Sequence, residues 1–128
     1  MVNRYAMQIK IKSSGVISGI VSLPSSKSIC NRALAIGALA GCFEDISNLS
    51  DCDDTVVMAN WLRSKPSTVN DGAAGTAMRF STALLAVSDG KHVITGSERM
   101  QNRPISVLVD ALRTLGAKID YVRKDGFP

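Results

Sequence analysis

Apolar positions along the 128 residues come in two rhythms, short β-branched runs and longer stretches with helical spacing. Val16 to Leu23 is β-branched and apolar and ends at the Leu23-Pro24 breaker, which predicts a strand leading into a helix. In that helix, running from about Ser28, Ile29, Ala33, Ile36 and Ala40 recur at 4-3-4 spacing and predict the buried stripe, with Gly37 and Gly41 marking the end. After an apolar stretch around Ile46 to Leu49, Asp51 to Asp54 supply caps for a second helix carrying Val56, Val57, Met58, Trp61 and Leu62, which Ser64-Lys65-Pro66 stops. The order then recurs. Ser67 to Asn70 predicts a short strand, Gly72 to Gly75 a turn, Thr76 to Val87 a helix and Val93 to Thr95 a strand. A last helix takes Pro104 as its first residue, Ile105, Leu108, Val109, Leu112 and Leu115 as its apolar face and Gly116 as its stop, and Lys118 to Val122 closes as a strand.

This alternation predicts an α/β fold made of two copies of a strand-helix-strand-helix-strand unit, about residues 15–65 and 66–128, matched in order and length although they share little residue identity. An apolar content of 45% suits one globular domain or part of a larger one. No apolar run approaches the roughly 20 residues of a membrane span, and Met1 to Lys12 has no signal-peptide core, so the expected address is cytoplasmic. Cys30, Cys42 and Cys52 are odd in number and widely spaced, without a CxxC pair or a nearby His, which predicts reduced thiols and no metal site. A net charge of +4 favours small acidic ligands, and 5% aromatic residues offer few stacking platforms for nucleic acid.

Chemistry concentrates at three helix starts. Pro24-Ser25-Ser26-Lys27-Ser28-Ile29-Cys30-Asn31-Arg32 places hydroxyls, an ammonium and a guanidinium where free N–H groups and the helix dipole already favour negative charge. Ser28 and Arg32 are i,i+4 and share a face, with Lys27 and Asn31 one step round. Asp71 to Arg79 is a second such segment, in which small residues let backbone N–H groups approach a ligand, Thr76 caps the following helix and Arg79 lies in its first turn. Glu98 to Pro104 is the third, with Pro104 holding Arg103 extended for bidentate contact to a carboxylate or phosphate. Asp53 and Asp54 are adjacent, point about 100° apart on a helix, and read as caps; Cys30, Met78 and Met100 read as packing residues, and His92 has no recognisable partner.

The three segments in this order resemble the enolpyruvyl shikimate phosphate synthases, the 3-phosphoshikimate 1-carboxyvinyltransferases. Lys27-Ser28 with Asn31-Arg32-Ala33-Leu34 fits the first signature of that family, Gly75-Thr76-Ala77-Met78-Arg79 the second, and Arg99-Met100 with Arg103-Pro104-Ile105 the third. The resemblance implies a domain of repeated βαβαββ units, an inverse βα barrel-like architecture, with about two units here and the last incomplete. It implies transfer of the enolpyruvyl group of phosphoenolpyruvate to the 5-hydroxyl of shikimate 3-phosphate, through a tetrahedral intermediate that loses phosphate, with neither metal nor organic cofactor. Carried over by position, Lys27, Ser28 and Arg32 bind shikimate 3-phosphate, and Lys27, Gly75 and Arg103 bind phosphoenolpyruvate, with Thr76 and Arg79 as further contacts. Where the family usually has Asn and Pro, this chain has Ala73 and Phe80.

Family members run to two domains, so the resemblance also implies that residues 1–128 are a partial N-terminal domain. Proton-transferring carboxylates are then expected beyond Pro128, the remaining part of the enzyme is the expected partner, and the chain alone is expected to be inactive. The alternatives are a stand-alone module that holds a phosphometabolite without chemistry, and a relative of the UDP-N-acetylglucosamine enolpyruvyl transferases. Neither nucleic acid nor membrane is expected as a partner.

Overall fold

The computed structural model describes residues 9–12 and 15–128. Helix α1 (Lys27–Ala40) is followed by a 3-10 turn (Phe43–Asp45), then by α2 (Asp53–Ser64) and strand β1 (Thr68–Asn70). Helix α3 (Gly75–Leu85), strand β2 (Val93–Thr95), the single turn α4 (Glu98–Gln101) and α5 (Ser106–Thr114) complete the order. Both strands lie within the predicted segments, and they pair in parallel with Val69 opposite Ile94. A parallel pair needs a crossover, and α3 supplies it.

The first three helices enclose the larger core, in which Leu34 of α1, Met58 and Leu62 of α2, Val69 of β1 and Ala77 of α3 are buried together. A second cluster joins Met78, Met100, Ile105 and Val109, so that α4 and α5 are held against α3. Met78 and Met100 are therefore packing residues, as expected, and so is the buried Cys30. Each buried side chain of this size contributes on the order of 1.5–3 kcal/mol.

Helix α1 turns a different face to the core from the one its spacing predicted. Ile29 and Ile36 are 70% and 68% exposed, and Cys30, Asn31, Leu34, Ala35 and Gly37 are the buried residues. The reason is close approach. A Cβ on Gly37 would stand 2.8 Å from the Phe43 Cα and 2.9 Å from the Ile46 Cδ1, so the chain after α1 folds back over the face that carries the smallest residue. Asn31, read as flanking the ligand face, is instead fully buried, and its Oδ1 accepts the Thr55 hydroxyl at 2.7 Å.

Other expectations are corrected at the edges. Val16 to Leu23 forms no strand, and Val16, Ile17, Ile20, Val21 and Leu23 are all exposed. Lys118 to Val122 forms none either. A strand needs a neighbour to take its backbone groups, and no described segment pairs with either run. Pro104 precedes α5 rather than opening it, because the Ile105 amide donates to the Gly126 carbonyl at 2.9 Å and the helix begins one residue later.

Candidate anion site

Four stretches of chain meet at one cleft of about 740 Å³. Lys27 comes from the start of α1, Asp54 from the first turn of α2, Gly75, Thr76 and Arg79 from the start of α3, and Arg103 from the segment between α4 and α5. Phe80, Ala73 and Leu108 supply apolar wall. Of the residues singled out from sequence, the fold thus brings Lys27, Gly75, Thr76, Arg79 and Arg103 together. Ser28 and Arg32 stay outside this lining, on the exposed side of α1, where the Arg32 Nη1 donates to the Ser28 carbonyl at 3.0 Å.

The organising group is Asp54. Its Oδ1 accepts the amide of Thr76 at 2.9 Å and of Ala77 at 3.3 Å, and its Oδ2 lies 3.4 Å from the Lys27 ammonium. Both Asp residues were expected to cap α2, and Thr76 to cap α3. Instead Cys52 occupies the α2 cap position, Ala74 precedes α3, and the Asp54 carboxylate satisfies two first-turn amides of α3 from another helix. Partial burial works against ionisation of Asp54, but the two amides and Lys27 outweigh it and hold the carboxyl below its usual range. The ion pair itself is half exposed on the lysine side, so it directs Lys27 into the cleft more than it stabilises the fold.

The two arginines of the cleft are held differently. The Arg79 Nη1 donates to the Gly75 carbonyl at 3.0 Å and its Nη2 to the Pro104 carbonyl at 3.3 Å, which ties the third segment to the second. Arg103 lies directly on the Gly75 backbone: a Cβ there would come within 2.9 Å of the Arg103 Cζ, so only glycine permits this contact. No acceptor among the described residues takes the Arg103 guanidinium, and its donors remain available to a planar anion. Three cations against one carboxylate, beside a helix start, make a cleft that attracts small polyanions.

Sequence reading missed two groups. Asp54 acts on α3 across 22 residues, a separation that no local pattern reports. Asp71 is fully buried behind the Gly72 to Gly75 turn, where the Ser81 hydroxyl donates to its Oδ1 at 3.1 Å and its Oδ2 has no partner. Burial, against the Ser81 bond and with Asp54 adding like charge, pushes its carboxyl up to about 6. Among the described residues no three His, Cys, Asp or Glu side chains gather as a metal site, and no helix is long and apolar enough to cross a membrane.

Comparison with known proteins shows the family. The family model for EPSP synthase (3-phosphoshikimate 1-carboxyvinyltransferase) matches residues 11–65 and 63–128. Proteins named 3-phosphoshikimate 1-carboxyvinyltransferase are similar throughout: one from Bacteroides fragilis (strain YCH46) is 53% identical over 95% of this chain and 30% of its own length. Another from Sulfurovum sp. (strain NBC37-1) is 41% identical over 94% of this chain and 34% of its own, and one from Tolumonas auensis is 40% identical over 88% and 32%. The chain spans about a third of the length of the curated relatives it matches. A mixed helix-and-strand chain matched by one family model along both halves, with a cationic cleft built from both, belongs to the EPSP synthase family.

Proposed function

We propose that this chain supplies the anion-holding part of a 3-phosphoshikimate 1-carboxyvinyltransferase, which joins the enolpyruvyl group of phosphoenolpyruvate to the 5-hydroxyl of shikimate 3-phosphate and releases phosphate. The observation that carries the reading is the seating of the Arg103 guanidinium on Gly75 in the same cleft as Lys27, which unites residues from all three family signatures. Lys27, Gly75 and Arg103 hold phosphoenolpyruvate, with Thr76 and Arg79 shaping the floor. Ser28 and Arg32, on the adjoining face of α1, hold shikimate 3-phosphate, and Lys27 stands between the two substrates.

In this reading the chain's own residues work by position and field. Both substrates carry phosphate, and bringing them together costs repulsion that fixed cations and N–H dipoles offset without reorganising during the reaction. Asp54 keeps Lys27 aimed into the cleft and holds the first turn of α3. The two stretches, about 15–65 and 66–128, correspond to successive repeat units of the family domain, and the setting is a soluble, cytoplasmic one. The remaining length found in the relatives is the partner that completes the reaction.

Chemical-shift titration of this chain with phosphoenolpyruvate and, separately, with shikimate 3-phosphate tests the assignment. The reading expects phosphoenolpyruvate to move the signals of Gly75, Thr76 and Arg103, and shikimate 3-phosphate to move those of Lys27, Ser28 and Arg32. Signals that stay still with both compounds remove the ligand assignment.

A further inference from the structure

We propose that Asp71 is a proton-operated support for the Gly72 to Gly75 turn, a positioning residue that keeps the turn in its cleft-forming geometry while its carboxyl is protonated and lets it loosen when the proton leaves to water.

Asp71 stands at the joint between β1 and the turn. Its amide donates to the Thr95 carbonyl of β2 at 2.9 Å, and its own carbonyl accepts the Ala74 amide at 2.9 Å, so its backbone is fixed on both sides. The turn is pinned further where the Gly72 amide donates to the Asn70 Oδ1 at 2.9 Å and the Ser97 amide donates to the Gly72 carbonyl at 2.8 Å. The side chain, by contrast, is fully buried with one donor, Ser81, on one oxygen and nothing on the other. An ionised carboxylate has about four lone-pair sites to fill, and leaving most of them empty in the interior is costly.

The surrounding elements give the ionised form little help. Helix α3 presents Ser81, β2 presents the Thr95 backbone, and α2 presents Asp54, the charged group whose field reaches Asp71 and which opposes its ionisation. Lys27, Arg79 and Arg103 line the cleft in front of the turn, and Asp71 is not part of that lining. The displaced carboxyl range, about 6, agrees with this placement. On losing its proton, Asp71 gains by drawing in water or an N–H donor. The segment beside it is the turn, two of whose four residues are glycine. Movement there reaches the ligand side directly, because Gly75 carries the Arg103 guanidinium.

This deepens the anion-site reading by giving the cleft a pH dependence, and its test is run without ligand so that either can fail alone. Amide shifts and hydrogen exchange of Gly72, Ala74 and Gly75 are followed in the full chain from pH 5 to 8. The three signals are expected to move together with a midpoint near 6, with exchange above the midpoint rising beyond its base-catalysed increase. Asp71→Asn is expected to abolish that movement and keep the low-pH positions, and Ser81→Ala, which removes the one donor, to move the midpoint upward. Signals of Asp89 and His92, beyond the other end of β2, serve as the reference for changes that do not originate at the turn. Turn signals that stay flat in the unaltered chain, or a midpoint that survives Asp71→Asn, overturn the proposal. If Asp71→Asn does not fold, the decision passes to the Asp71 carboxyl carbon in the unaltered chain together with Ser81→Ala: a carboxyl titrating in the ordinary aspartate range, or a midpoint that Ser81→Ala leaves in place, overturns it equally.

Discussion

The Oδ1 of Asp54 accepts the Thr76 amide at 2.9 Å, so a carboxylate in the first turn of α2 caps α3. Capping from another helix ties two elements together as well as satisfying donors. Asp54→Ala is expected to lower stability by about 1 kcal/mol, the usual worth of a cap, and to raise hydrogen exchange at Thr76 and Ala77. Because the folded carboxyl lies below the ordinary aspartate value of 3.8, the stabilisation is complete above that value and is lost as pH falls through the folded one. Urea denaturation across pH 2.5 to 5 therefore separates the two proteins at the upper end and brings them together at the lower.

Asp71 contributes with the opposite sign. Its folded value is about 6 against an ordinary aspartate value of 3.8, so the folded state holds the proton more tightly and gains stability where that proton is bound. The contribution is whole below about pH 4 and declines as pH rises toward 6, by about 3 kcal/mol at most. Asp71→Asn removes the decline, which denaturation at pH 4.5 and 7.5 detects as a smaller difference between the two conditions.

Gly75→Ala places a methyl group against the Arg103 guanidinium. The obstacle is the far end of a flexible side chain, so stability is expected to change by less than about 1 kcal/mol while Arg103 swings away. On the proposed assignment, the loss of its charge-assisted bonds is expected to weaken anion binding by about 1.5–3 kcal/mol, or at least a tenfold rise in the Kd for phosphoenolpyruvate. Calorimetric titration of the two proteins checks the figure, and unfolding curves check that the fold is unchanged.

Thr55→Val keeps the shape of the side chain and removes the hydroxyl that donates to Asn31 at 2.7 Å. Asn31 is fully buried and its Nδ2 is already without a partner. Leaving the Oδ1 unpaired as well is expected to cost about 1–3 kcal/mol, read as a lower urea midpoint at unchanged slope.

The segments of regular structure were legible because local signals set them: Gly41 ends α1, Lys65-Pro66 stops α2, and β-branched runs mark β1 and β2. The three cationic segments were legible for the same reason. Helical spacing in α1, however, is satisfied by two faces, one with Ile29 and Ile36 and one with Cys30, Leu34 and Gly37, and only the neighbouring chain selects between them. Val16 to Leu23 has strand composition but lacks a partner among the described residues, which composition does not supply. Asp54 and Asp71 take their roles from residues 22 and 10 positions away, through contacts that exist only after packing.

The cleft draws on positions 27, 54, 75 and 103, contributed by stretches that meet only in the folded chain. An unfolded chain has no version of it, so an anion that binds there has affinity for one side of the folding equilibrium alone. Mass action then raises the unfolding temperature with ligand concentration, by about 2.7 kcal/mol of added stability at a hundred times the Kd. A melting curve taken against increasing phosphoenolpyruvate thus turns the dispersed origin of the cleft into a direct gauge of occupancy.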